Sequence, residues 1–287
     1  MRGSGEGGGS VEALVARIDG MAPGSPAPDT VPSGFPSLDR MLGGGFRRQD
    51  IAILAGDVGS GKSALALGIA IRAARAGVPT LHLSGEMSPD RVMERALALE
   101  GKASVDDLRQ GRLDPVVRAS VGGAAHRLRD IPLLLRPLLG EGFDEVREAL
   151  DVVPPRALLV VDSLQLAPSP RPAARLEERV ALAMRALKAV AVDRDLTVLA
   201  TAQIPRHRAA RPDPRPTLDD LGGLGAIKQN ADLVLAIYRE EMYRSRQGVE
   251  GATELIVAKN RNGPTGFVDL YFYSRWLRFE DMLDPSS

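Results

Sequence analysis

The chain has 287 residues, 44% of them hydrophobic and 26% charged, and its formal net charge is zero. That is enough material for one large soluble domain or two small ones, and a neutral total gives no general attraction to nucleic acid or anionic membrane, so any polyanion site must be local. The absence of cysteine excludes disulfides and thiolate metal sites, and three scattered histidines form no metal-binding pattern.

Residues 1–10, MRGSGEGGGS, are glycine-rich and lack the apolar core of a signal peptide. No apolar run approaches the ~18 residues of a membrane span, so no membrane partner and a cytoplasmic setting are expected. Residues 11–19, VEALVARID, put Val11, Leu14, Val15 and Ile18 on one helical stripe. A helix below about 12 residues is marginal alone, so this one must dock, on the chain's own core or on a neighbouring subunit. A Pro-rich stretch follows, which divides the chain into a linker segment with its docking helix (1–31) and a globular domain (32–287).

From Ile51 the pattern alternates. Strands are predicted at 51–54, 80–84, 132–135, 157–161 and 197–201, as near-continuous apolar runs, with helices at 64–76, 89–101 and 176–192. This is an α/β fold: a mainly parallel sheet sandwiched by helices, with right-handed crossovers. After Ala231 the runs DLVLAIYR, ATELIVAK, GFVDLYFY and WLRFED have short connections, which predicts antiparallel strands at one edge.

GDVGSGKS, residues 56–63, satisfies the P-loop pattern directly after a strand and opens a helix. Backbone N–H groups of Gly56, Asp57, Val58, Gly59, Ser60, Gly61, Lys62, Ser63 and Ala64 can converge on phosphate oxygens of ATP. Lys62 would neutralise β/γ charge and Ser63 would ligate Mg²⁺. Asp162, closing ALLVVD on another strand, supplies a second metal carboxylate; the next residue is Ser163, so the base must come from elsewhere. Glu86, in HLSGEMS at the same rim of the sheet, is the candidate base, and Gln203, ending TVLATAQ, can sense the γ-phosphate. Further on, VAKNRNGPTG places Lys259 and Arg261 two apart before a turn, and by themselves they read either as a solvated edge strand or as paired cations aimed at an anion.

In order along the chain, GDVGSGKSALALGIA, LSGEMSPDRVMERALALEGKASVDDLRQGRL, LLVVDSLQL, ATAQIPRHRAARPDPRPTLDDL, IKQNADLVLAIYREE and IVAKNRNGPTG resemble the motor domain of DnaB-type replicative DNA helicases, over residues 32–280. The resemblance implies a RecA-like core, a homo-oligomeric, hexameric ring around single-stranded DNA, and ATP hydrolysis at each subunit interface. It implies Glu86 as catalytic base, Gln203 as sensor of the nucleotide state, and Arg261, with Lys259 beside it, as an arginine finger reaching the next subunit's nucleotide. The stripe at 11–19 is similar to the family's linker helix, which docks on the adjacent motor.

The match departs from the family at two places. No N-terminal helical domain is present, so primase binding is not expected. The DNA-contacting loop normally carries an arginine and a glutamate where this chain reads Leu221-Gly222-Gly223-Leu224-Gly225. Backbone N–H groups at Gly223 and Gly225 can still meet phosphate, and Arg206, Arg208 and Arg211 are further DNA candidates, as are Arg171, Arg175 and Arg179. Two other readings stay open: a RecA-like ATPase of the KaiC or RadA kind, whose cores also begin with a GF-x-x-LD-x-x-L-GGG segment like residues 34–45, and an ATP-binding assembly scaffold without turnover.

Overall fold

The computed structural model describes residues 11–21, 27, 29–140, 142–173, 175–204, 211–243 and 248–282. Helix α1 (Val11–Asp19) forms where the stripe predicts it, and Val11, Leu14, Val15 and Ile18 are all exposed, so the stripe does not cover the chain's own core. A small ribbon follows, β1 (Thr30–Val31) with β2 (Phe46–Arg47), enclosing α2 (Pro36–Met41).

Six strands then run parallel: β3 (Ile51–Gly56), β4 (Thr80–Ser84), β5 (Leu133–Pro137), β6 (Leu158–Asp162), β7 (Thr197–Gln203) and β8 (Leu233–Arg239). β9 (Ala252–Asn260), β10 (Gly266–Tyr273) and β11 (Arg278–Asp281) complete the sheet antiparallel. The order is β11-β10-β9-β8-β3-β7-β6-β4-β5. Alternation along each strand feeds two cores: Ile51, Ile53, Leu81, Leu83, Leu159 and Val161 face one side, while Ala52, Leu54, Leu158 and Val160 face the other. The first side is covered by α7 (Asp144–Asp151), α8 (Leu176–Asp193) and α9 (Gly225–Asn230), the second by α2, α3 (Lys62–Arg75) and, towards β5, α4 (Pro89–Gly101).

Local chemistry explains the helix starts. Ser88 accepts from the Arg91 N–H and Pro89 occupies the first turn of α4, so a missing donor falls where none is needed. α5 (Val105–Gln110) and α6 (Pro115–Arg129) start in the same way, on Ser104 and Asp114.

Two expectations need correction. β8 is parallel to β3, not part of the antiparallel edge; the reversal comes one strand later, at β9. All seven of its residues are buried, as both-face coverage demands, and the short connections after it belong to β9 and β10. Nor do Lys259 and Arg261 lie on an edge strand, because β9 sits between β8 and β10.

Candidate nucleotide site and interface cations

β3 ends at Gly56 and the chain turns through Gly59 and Gly61, whose φ values of 77° and 98° lie in the left-handed region. A Cβ at Gly61 would also sit 2.7 Å from the Phe279 ring. α3 starts directly afterwards, with no side-chain cap and no acidic residue in its first turn. Its leading N–H groups are therefore left for an external anion at the positive end of the helix.

Lys62 Nζ folds back onto the Asp57 carbonyl at 2.7 Å. Burial pulls its pKa below the ordinary lysine value, against the opposing pull of Asp162, Glu86 and Asp57. Across the turn, Asp162 is 1% exposed. Its Oδ1 accepts from Thr201 Oγ1 at 2.5 Å and from Ser63 Oγ at 3.2 Å, whereas its buried Oδ2 has no hydrogen-bond partner. An uncommitted carboxylate oxygen next to a serine hydroxyl fits a hard divalent cation that keeps most of its waters and phosphate ligands. No cluster of three or more His, Cys, Asp or Glu suited to a metal exists among the described residues, which argues against a metal caged by protein groups alone.

Glu86 and Gln203 line the same cleft of about 460 Å³ as Gly59, Gly61, Lys62, Ser63 and Asp162. Sheet register explains the meeting: Gln203 is paired with Gly56, and Ser84, two residues before Glu86, is paired with Asp162. Gln165 reaches the Gln203 carbonyl at 3.2 Å. A larger cleft of about 790 Å³ adjoins it through Leu166, between residues 138–147 and 166–179; it contains none of these phosphate-site groups.

Thr201 escaped the sequence reading, although strand alternation puts it two residues before Gln203 and level with Asp162. Arg239 and Tyr243 escaped it too. Arg239 donates to the Gly59 carbonyl at 3.1 Å, lies 4.4 Å over the Phe272 ring and pairs with Glu241; the Tyr243 hydroxyl donates to the Asp57 carboxylate. Nothing in the spacing signals them, because they approach the P-loop from about 180 residues away.

Lys259 and Arg261 lie elsewhere. The Arg261 N–H donates to the Asp232 carbonyl, and the Asp232 N–H donates to the Ile51 carbonyl, at the beginning of β3. The P-loop follows the other end of that strand. At about 3.3 Å per residue the separation is roughly 17 Å, beyond the reach of an arginine side chain. Lys259 Nζ donates to the Lys228 and Ala231 carbonyls, and Arg261 pairs with Asp232 at 2.8 Å and reaches the Gln229 carbonyl.

Among the DNA candidates, Arg211 is paired with Asp220 at 2.7 Å, and Arg206 and Arg208 lie outside the described residues. Gly223 belongs to a 3-10 segment, Leu218–Leu224, opened by a reciprocal cap between Thr217 and Asp220, and Gly225 begins α9. Arg171 lies 3.8 Å from Glu178, and Arg179 donates to the Gln165 carbonyl.

The family model for the DnaB-like helicase C terminal domain matches residues 30–281. The chain belongs to that family. Among curated relatives it is 33% identical over 256 residues to the replicative DNA helicase DnaB of Leifsonia xyli and 31% identical over 261 residues to that of Geobacillus stearothermophilus. In both cases 88% of this chain is matched but 56% of the relative, so the chain spans about half the length of the curated DnaB proteins it matches. Its fold superposes on a solved helicase-type ATPase domain with a TM-score of 0.87 at 27% identity, over 96% of this chain and 100% of that one. A DnaB-like replicative helicase solved in a study of its interactions with primase gives 0.86 at 25% identity, over 94% of this chain and 67% of that one. The expected RecA-like P-loop architecture of the DnaB motor is thus the observed one.

Proposed function

We propose that this chain is the motor of a DnaB-type DNA helicase or translocase, hydrolysing ATP between the subunits of a homo-oligomeric, hexameric ring that moves on single-stranded DNA. Residues 1–31 serve as the linker and residues 32–287 as the motor. The residues from Gly56 to Ala64 cradle the phosphates, and Ser63 and Asp162 hold Mg²⁺, which screens phosphoryl charge when bound. Glu86 accepts a proton from the attacking water, Lys62 balances phosphate charge and Gln203 reads the γ position. The exposed stripe of α1 docks on the next motor, and Arg206, Arg208, Arg211, Gly223 and Gly225 meet the DNA backbone.

The observation that carries this reading is the separation of Arg261 and Lys259 from their own P-loop by the length of β3. Such cations can complete only a neighbour's site. ATP turnover per subunit, measured against protein concentration with and without single-stranded DNA, is expected to rise with assembly and again with DNA. Turnover that is constant per subunit down to the monomer rejects the shared site; assembly-dependent turnover without strand displacement or translocation rejects the helicase motor alone.

A further inference from the structure

The cation pair is held by a buried carboxylate that the reaction itself does not touch. The Asp232 side chain is 4% exposed and takes donors from three elements: the Ile51 N–H of β3 at 2.9 Å, Lys188 of α8 at 2.7 Å and Arg261 at 2.8 Å. Arg261 itself is half-exposed. One edge of its planar guanidinium is occupied by Asp232 and the Gln229 carbonyl, so the plane is set and its remaining N–H groups are presented outward. Lys259, two residues away, spends two donors on the Lys228 and Ala231 carbonyls. These carbonyls belong to the C-terminal end of α9, where cations are favoured.

Charge is also biased outward. Lys188, Lys259 and Arg261 face Asp50 and Asp232, which leaves one positive charge in excess for an incoming phosphate. α9 starts at Gly225, where the 218–224 segment ends, and Lys228 ties back to Asp219 at 2.6 Å. A displacement of that segment therefore carries the carbonyls that hold both cations.

We infer that Asp232 is a positioning residue: with the α9 carbonyls it aims Arg261 and Lys259 at the neighbouring subunit's nucleotide, and α9 links that aim to the 218–224 segment that meets DNA. This rests on the shared-site reading above, so the test separates the two. Lys62→Ala subunits keep the cation pair and lose the cradle; Arg261→Ala subunits keep the cradle and lose the finger. Mixed together they regain ATP turnover if sites are completed between chains.

Asp232→Asn, added to the Lys62→Ala donor, is expected to lower the recovered kcat about 10- to 100-fold with little change in KM for ATP, the cost of a finger misplaced by about an ångström. Added to the Arg261→Ala acceptor, it leaves the recovery unchanged, because the finger it aims is already gone there. Lys188→Ala in the donor, which removes one anchor from a partly exposed position, shifts kcat in the same direction and keeps the test open if Asp232→Asn fails to fold. With the Asp232→Asn donor, stimulation by single-stranded DNA also falls toward a ratio of about one, as the link is cut. Equal loss from donor and acceptor placements, no loss from either donor variant, or undiminished DNA stimulation overturns the inference. No recovery in the parent mixture overturns the shared site, and the positioning role with it.

Discussion

The two oxygens of Asp162 have different surroundings, and the difference organises the cradle. Oδ1 is saturated by Thr201 and Ser63, which holds the carboxylate in one orientation; Oδ2 is buried and uncommitted. Thr201→Val keeps the shape and removes one donor to a buried charge, so it should cost about 1–3 kcal/mol, read as a lower urea midpoint, and weaken Mg²⁺-dependent nucleotide binding. Glu86→Gln preserves volume and removes the proton acceptor; ATP affinity should survive while turnover drops about 10²–10⁴-fold in a single-turnover assay. Lys62 gives a pH test. Because burial lowers its pKa, it loses its proton below the usual 10.5, so ATP affinity should fall as pH rises towards that value, and Lys62→Arg should flatten the alkaline limb of the binding curve. The P-loop residues were legible because their glycine spacing is local. Thr201 could be found by alternation, whereas Arg239 and Tyr243 come from distant strands and only the folded chain brings them to Gly59 and Asp57.

At the scale of elements, α3 is held in place by charge as well as by its apolar face. Glu100 of α4, 6% exposed, pairs with Arg75 of α3 and lies 3.8 Å from Arg278 of β11, while Arg72 of α3 pairs with Glu280 and lies over the Phe35 ring. Glu100→Ala leaves two arginines without their carboxylate beside the helix that opens the cradle. It should destabilise the fold by about 3 kcal/mol in denaturant titrations, more than an exposed pair would. The long elements β3, β4, α4 and α8 were readable because their burial repeats along a full face. α6 was not, since only Ala124 and Leu128 of its fifteen residues are buried and no stripe develops. β8 misled for a different reason: its continuous burial is the parallel signature, but its place beside antiparallel neighbours hid it.

For the whole molecule, Arg261→Ala should lower kcat by about 10³–10⁵ while ATP affinity changes little, as measured by turnover and by nucleotide titration of the assembled protein. DNA affinity should fall steeply with salt, because a neutral chain whose contact loop reads Gly222-Gly223 has backbone and scattered arginines to offer phosphate. The family was legible in its motifs. The distance between the two halves of the site was not, since it depends on which end of β3 each loop leaves.

That distance has a geometric consequence. A protein with its cradle at one end of a strand and its cation at the other has a front and a back, so contacts between copies are head-to-tail and cannot be self-complementary. A pair of chains then encloses one complete chamber, leaving one cradle unanswered, and only closure into a circle gives every cradle a cation.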